Sequence, residues 1–164
     1  MSVSAVGTGT FNRTWRGQYR RMQRTFERLY GIREKTNVFD AGEIEDGYIH
    51  FFQNAWHLKD WLRKDPESAK VVSDIENFVN GSPALQLAAD LANGLKHLGL
   101  DRRKPRTGDA STGIRHMSFS GDPTVGLDMS IHVESGGKVI DATILAKDIM
   151  IAWNEYLASK GLKP

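Results

Sequence analysis

The sequence predicts a single α+β domain, in which a mainly helical bundle of about four helices is followed by a small antiparallel β-sheet and a C-terminal helix. Two observations predict it. Between residues 11 and 95, apolar residues recur at steps of three and four, which is the period of a helix face. Over residues 125–133 they alternate with polar residues, which is the period of a half-buried strand. We expect the helical part at about residues 11–100 and a β-hairpin plus final helix at about residues 113–161, within one domain spanning residues 1–164.

The first three helices are bounded by glycine and proline. Residues 11–29 carry an apolar stripe that should end at Gly31, and residues 40–64 carry a second stripe that should end before Pro66. Pro66 suits the first turn of a third, shorter helix, which Gly81 closes. All the tryptophans fall on predicted helices, where we expect core or half-buried packing rather than base stacking: Trp15, Trp56, Trp61 and Trp153.

The fourth and last helices have recognisable capping residues. Ser82 suits the N-cap of the fourth helix and Pro83 its first helical position. Asp141 or Thr143 should cap the final helix, which should end at Gly161. Local side chains therefore predict where both helices begin.

The sheet is predicted from one clear strand and the turn that follows it. After residues 125–133, Ser135-Gly136-Gly137 supplies a turn that tolerates positive φ, so residues 138–142 should pair back as a hairpin. Residues 114–119 should add a third strand.

The composition excludes several classes of protein. The chain has no cysteine, so it has neither disulfides nor thiolate metal sites, and a reducing, cytoplasmic location fits best. Its first residues lack a signal-peptide pattern, and no apolar run reaches the roughly 18 residues of a membrane span. The P-loop, dinucleotide and nucleophile-elbow motifs are absent. Neither a metal nor a cofactor is expected, because no helical His-Glu-x-x-His or Glu-x-x-His spacing occurs.

Basic residues are clustered although the net charge is only +2. Residues 12–35 hold eight of them against two glutamates, and residues 102–106 hold a second cluster in a predicted loop. Two such patches can follow a phosphate backbone, and the candidate contacts are Arg20, Arg24, Arg102 and Arg103. The alternative for each patch is ordinary solvated surface.

Two polar helix faces carry histidine. The second helix presents residues spaced by three and four, namely His50, Gln53, His57, Asp60 and Lys64. The fourth presents Asp90, Asn93 and His97 at the same spacing. If the two helices pack together, these side chains converge on a cleft able to support acid/base catalysis, with His97, Asn93, His57 and Asp60 as candidate catalytic residues. The alternative is that both faces simply meet water.

Both histidine-bearing segments resemble those of a known group of proteins. The segments His57-Leu-Lys-Asp60-Trp61 and Asn93-Gly94-Leu-Lys96-His97 resemble those of an uncharacterised prokaryotic protein family, over roughly residues 48–100, which implies no particular activity.

More distantly, a helical bundle with a polar residue four positions before a helix-terminal histidine is similar to HEPN domains, many of which are ribonucleases of toxin and defence systems. That resemblance carries over only His97 and Asn93. The family's arginine is replaced here by Ala92, Leu91 or Asp90, so another segment, with Arg20 or Arg24, would have to supply the cation.

Two functional hypotheses follow. The first is a HEPN-like RNA-binding or RNA-cleaving domain, a homodimer with RNA as its partner and no membrane contact, in which His97 moves a proton and basic residues hold phosphates. The second is a non-catalytic interaction or structural protein whose histidine faces only pack.

Overall fold

The structure, a computed structural model, describes residues 13–34, 41–96, 105–107, 113–122 and 126–164 of the chain. The predicted helix starts at residues 11 and 40 lie outside them. The described residues form five helices and three strands, which are α1 Trp15–Glu34, α2 Ala41–Lys64, α3 Ile75–Gly81, α4 Pro83–Lys96, β1 Gly113–Asp122, β2 Gly126–Ser135, β3 Lys138–Asp141 and α5 Ala142–Ser159. This order confirms the predicted mainly helical α+β class.

The first helix is longer than predicted. α1 continues through Gly31 to Glu34 instead of ending at the glycine. A glycine costs only about 1 kcal/mol inside a helix, so it does not by itself end one. Leu29 is buried beside Gly47, where an added Cβ would lie 3.0 Å from the Leu29 Cδ2 atom. The two helices can approach this closely because residue 47 has no side chain.

The third helix is shorter than predicted, because it begins at Ile75 and not at Pro66. The residues between form turns, in which side chains and short-range backbone bonds replace the helical pattern. The Ser68 hydroxyl donates to the backbone oxygen of Leu62 at 2.8 Å, and the Ser68 N–H donates to the backbone oxygen of Asp65 at 3.1 Å. Apolar spacing alone therefore overestimates this helix.

The caps of α4 and α5 match the prediction. The Ser82 hydroxyl accepts the backbone N–H of Leu85 at 3.4 Å. Of the two residues proposed to cap α5, Asp141 does so, accepting two backbone N–H bonds of which the shorter, from Thr143, is 2.7 Å. The Thr143 hydroxyl is instead buried 2.6 Å from the Tyr48 hydroxyl of α2.

The three strands form an antiparallel sheet in the order β1-β2-β3. Gly136 and Gly137 adopt φ values of 58° and 73°, as a two-residue turn of the primed type requires, so the predicted hairpin is confirmed. β2 is the central strand, and it buries Ile131 and Val133.

One hydrophobic core joins the five helices to β2. Inside it, α5 is fixed to the helices it crosses by hydrogen bonds from ring groups. The Trp153 indole N–H donates to the backbone oxygen of Ala55 in α2 at 3.1 Å, and the Tyr19 hydroxyl of α1 donates to the Asn154 side chain at 2.6 Å. None of the described helices has both the length and the hydropathy needed to cross a membrane.

Three surface carboxylates are hydrogen-bonded to cations, and each has its pKa lowered for that reason. In each case the largest cause of the lowered pKa is the side-chain hydrogen bond from the cation. The pairs are Glu67 with Arg16, Asp74 with Lys160, and Glu76 with Lys59. A carboxylate whose pKa is lower in the folded than in the unfolded chain stabilises the fold above its ordinary pKa. That stabilisation is lost as the pH falls through the folded-state value.

We therefore expect the free energy of unfolding to fall as the pH drops below about 4.5, the ordinary pKa of glutamate. Urea unfolding at pH 6 and pH 3 measures this loss. Glu76→Gln should reduce the difference between the two pH values, since Glu76 bonds both Lys59 and Arg63. Glu155→Gln, which changes an exposed residue of α5, is the matched control and should leave that difference unchanged. Equal pH dependence in Glu76→Gln and wild type would contradict the prediction.

Candidate nucleic-acid interface

The exposed side of α1 carries a row of arginines. Arg20, Arg24 and Arg28 follow one another at intervals of four residues, so they lie along one face over about 12 Å of helix. All three side chains are exposed, and none of them forms an ion pair or hydrogen bond with any residue that the structure describes. We call these three residues the arginine row. Arg20 and Arg24 are predicted phosphate contacts, and Arg28 is a third arginine that the structure adds to them.

Two further arginines of α1, Arg16 and Arg21, have intramolecular partners. Arg16 forms a two-pronged ion pair with Glu67, and its Nε atom donates to the backbone oxygen of Lys163 at 2.9 Å. The Arg21 guanidinium lies 5.5 Å from the centre of the Trp61 ring. Arg16 and Arg21 therefore stabilise the fold, whereas the arginine row faces solvent.

A cleft of about 470 Å³ lies between the start of α1 and the end of α2. We call it the Trp61 cleft, and its lining residues are Arg13, Thr14, Asp60, Trp61, Lys64, Asp65 and Pro66. Trp61 is half-buried, which agrees with the packing predicted for the tryptophans. Part of its surface forms a wall of the cleft. The cleft therefore combines an aromatic ring with charges of both signs.

The two carboxylates of the Trp61 cleft differ in their hydrogen bonding. Asp65 is committed to the fold, since its oxygens accept the backbone N–H groups of Trp15 at 2.9 Å and Glu67 at 3.0 Å. Asp60 accepts no hydrogen bond from a described residue, and its side chain is 48% exposed. Its nearest described cation is the Lys59 amine at 3.9 Å, and that amine is already bonded to Glu76 at 2.9 Å. Asp60 is thus the carboxylate with free acceptor capacity.

The predicted catalytic residues are only partly brought together. His57 is exposed on α2, and it shares its helix face with Asp60, which turns toward the Trp61 cleft. Asn93 is exposed on α4, and His97 lies outside the described residues. No hydrogen bond within the described part of the chain links His57 or Asp60 to Asn93. The shared cleft between α2 and α4 remains a prediction.

Asp90 does not belong to an exposed polar face. It is buried, with 1% of its surface exposed, and its carboxylate accepts three hydrogen bonds from residues 105–107. These come from the Arg106 N–H at 2.7 Å, the Thr107 N–H at 2.8 Å and the Thr107 hydroxyl at 2.6 Å. The helical spacing of Asp90 indicates a solvated residue, but its partners are 16 and 17 positions away and leave no signal in that spacing.

Arg106 belongs to a structural cluster that sequence reasoning missed. Its guanidinium lies 4.6 Å from the centre of the Trp56 ring and donates to the Asn80 side chain at 2.6 Å. Lys59 lies 4.5 Å from the same ring, and both cations are near Glu76. Arg106 is therefore committed to these contacts at the surface and is not a free phosphate contact. Arg102 and Arg103 of the same predicted basic loop lie outside the described residues.

Within the residues that the structure describes, no group of three or more histidine, aspartate or glutamate side chains is arranged to hold a metal ion. Comparisons with protein-family models, with curated proteins and with solved structures find no match to this chain.

Proposed function

We propose that this protein binds RNA and that the arginine row of α1 holds the RNA phosphates. The observation that carries the proposal is the row itself: three exposed guanidinium groups on one helix face, without described partners. Arginine is well suited to this task, because it is always charged and its planar fork matches the phosphate oxygens.

Single-stranded RNA fits the surface better than a duplex. Proteins bind single strands by combining cations that track the backbone with aromatic rings on which unstacked bases lie. The arginine row supplies the first element. The Trp61 cleft lies against the same helix and supplies an aromatic ring that is half-buried but not sealed off.

RNA binding is better supported than RNA cleavage. In the HEPN pattern an arginine stands at one of three positions before the histidine, and here those positions hold Asp90, Leu91 and Ala92. All three are buried, with exposures of 1%, 3% and 5%. A cation for the scissile phosphate would have to come from another element. We therefore propose binding without cleavage, with His97 and Asn93 as the residues to test for catalysis.

The test is the salt dependence of RNA binding. Each phosphate contact to a single strand contributes about 0.7 to the slope of log affinity against log salt. Replacing two arginines of the row, in Arg20→Gln/Arg24→Gln, should make that slope shallower by about 1.4 and weaken binding about tenfold at 0.1 M salt. Fluorescence anisotropy with a labelled oligouridine at several salt concentrations measures both quantities.

The matched control removes two positive charges outside α1, in Lys70→Gln/Lys138→Gln, both of which are exposed residues. A control that weakens binding as much as the row variant would overturn the proposal, and so would a wild-type protein that binds no RNA. The same samples report cleavage. Shortened RNA with wild type, but not with His97→Ala or Asn93→Ala, would overturn binding without cleavage and assign those residues to catalysis.

A further inference from the structure

The Trp61 cleft holds three kinds of group, of which the proposed function uses only the aromatic ring. They are a partly accessible indole ring, a carboxylate without a described hydrogen-bond donor, and two exposed cations, Arg13 and Lys64. Neither cation forms an ion pair with a described residue. The volume of the Trp61 cleft, about 470 Å³, lies within the usual range of small-molecule sites, about 300–1,000 Å³.

We propose that the Trp61 cleft binds one nucleotide of the RNA, with guanine as the preferred base. The base stacks on Trp61 and hydrogen-bonds to Asp60, and the adjoining phosphate is held by Arg13 and Lys64. This inference rests on the proposed function, because the same RNA strand continues along α1 to the arginine row.

The stacking role follows from how Trp61 is held. Arg21 lies over the ring at 5.5 Å, and its Nη1 atom donates to the Gln18 side chain at 3.3 Å. Gln18 is itself buried and donates to the backbone oxygen of Asn54 at 3.0 Å. The guanidinium that covers the ring is therefore anchored to both α1 and α2. A base that stacks on the surface of Trp61 lining the cleft meets a ring whose position is already fixed, which limits the ordering cost of binding.

The preference for guanine follows from Asp60. A carboxylate offers two acceptor oxygens and no donor, so it suits a base edge that presents two adjacent N–H donors. Guanine presents such a pair on its Watson–Crick edge, through its ring N–H and its amino group, whereas uracil has a single N–H there. Asp65 does not provide this readout, because its oxygens are occupied by Trp15 and Glu67.

The arrangement of charges favours a nucleotide over a metal ion or a simple anion. Arg13 and Lys64 would repel a cation bound at Asp60, and Asp60 would repel an anion placed at its own end of the cleft. A nucleotide separates the two functions, with hydrogen-bond donors on the base and negative charge on the phosphate.

The experiment uses the full chain with three strands and one mononucleotide. The strands are a nine-nucleotide oligouridine, the same strand with one central guanosine, and that strand with inosine, which lacks the amino group, in place of guanosine. The mononucleotide is guanosine monophosphate. We expect the guanosine strand to bind wild type about tenfold more tightly than oligouridine, the effect of one added recognised base. The inosine strand should lie between them. Asp60→Asn should lose the preference for guanosine and keep its affinity for oligouridine.

Intrinsic fluorescence tests the stacking separately. Binding should quench wild-type tryptophan emission, because Trp61 is the half-buried tryptophan while Trp15, Trp56 and Trp153 are buried. Trp61→Phe should keep a stacking ring, bind within about threefold of wild type and lose that quenching, whereas Trp61→Leu should bind about tenfold more weakly. Thermal unfolding of each variant checks that it is folded, and Asp60→Asn gives an independent test if Trp61→Leu is not.

The outcomes separate this inference from the proposed function. If the arginine-row variant changes the salt slope but Asp60→Asn keeps the guanosine preference, or Trp61→Phe keeps the quenching, the nucleotide site is wrong and RNA binding stands. If wild type binds none of the strands but guanosine monophosphate alone quenches Trp61, RNA binding is wrong and the nucleotide site stands. If neither the strands nor the mononucleotide binds, both are wrong.

Discussion

Asp90→Ala is expected to lower the free energy of unfolding by about 3 kcal/mol. The carboxylate is 1% exposed, and it accepts three hydrogen bonds from Arg106 and Thr107. Its removal leaves the backbone N–H groups of Arg106 and Thr107 without their acceptor beside the core. It also releases the segment that holds the Arg106 guanidinium against Trp56. Urea unfolding monitored by circular dichroism measures the loss.

Three further variants sharpen this prediction. Thr107→Val removes only the hydroxyl contact and should cost about 1 kcal/mol. Asp148→Ala, an exposed aspartate of α5, is the matched control and should change stability by less than about 0.5 kcal/mol. Asp90→Asn keeps the size of the side chain but replaces one acceptor oxygen with an amide donor, and it should resemble Asp90→Ala. An Asp90→Ala protein as stable as the Asp148→Ala control would contradict the anchoring role.

Hydrogen exchange gives a local readout of the same anchor. The amides of Arg106 and Thr107 should exchange slowly in wild type and quickly in Asp90→Ala. Amides in the middle of α2 should keep their order of protection, because that helix is held by its own core contacts.

Trp153→Ala should cost about 4 kcal/mol, the larger of the two effects, because it empties a fully buried site at the centre of the molecule. The Trp153 ring packs 5.4 Å from the Phe78 ring and 6.1 Å from the Tyr156 ring, and its N–H donates to the Ala55 backbone oxygen. Trp153→Phe keeps most of the volume and should lose about half as much. Chemical unfolding at pH 7 measures both variants.

Trp61→Phe is the internal comparison for that series. The Trp61 side chain is half-buried and forms no hydrogen bond with the described residues, so its replacement should cost less than about 1 kcal/mol. If Trp61→Phe destabilises the chain as much as Trp153→Ala, Trp61 is a core residue and its role in the cleft would have to be abandoned.

Local sequence signals predict this fold where short-range chemistry sets it. The Ser82 cap, the Gly136-Gly137 turn and the Asp141 cap each act within three residues, and the sequence identifies all of them. The starts of α4 and α5 and the hairpin follow directly. By contrast, α1 continues through Gly31 because one glycine does not end a helix, and the start of α3 depends on Ser68 bonding Leu62, a contact that apolar periodicity does not report.

The candidate interface is predicted less well for the same reason. The spacing of Arg20 and Arg24 already places them on one face, and the structure adds that Arg16 and Arg21 are occupied elsewhere. The Trp61 cleft joins Arg13 to residues about fifty positions away, so no spacing rule identifies it. Asp90 is the opposite case, since its spacing suggests solvent exposure and its long-range partners bury it.

The junction between β3 and α5 limits how the length of this chain can change. Asp141 is both the last residue of β3, opposite His132, and the N-cap of α5, so no spare residue separates strand from helix. A single inserted residue there would break either the strand pairing or the cap, and it would turn the buried face of α5 by about 100°. At its other end α5 stops at Ser159, and the residues beyond it are also committed, because Leu162 is buried in the core and the backbone oxygen of Lys163 accepts from Arg16. Insertions should therefore be rejected both at Asp141 and directly after Gly161, where they would move Leu162 out of the core.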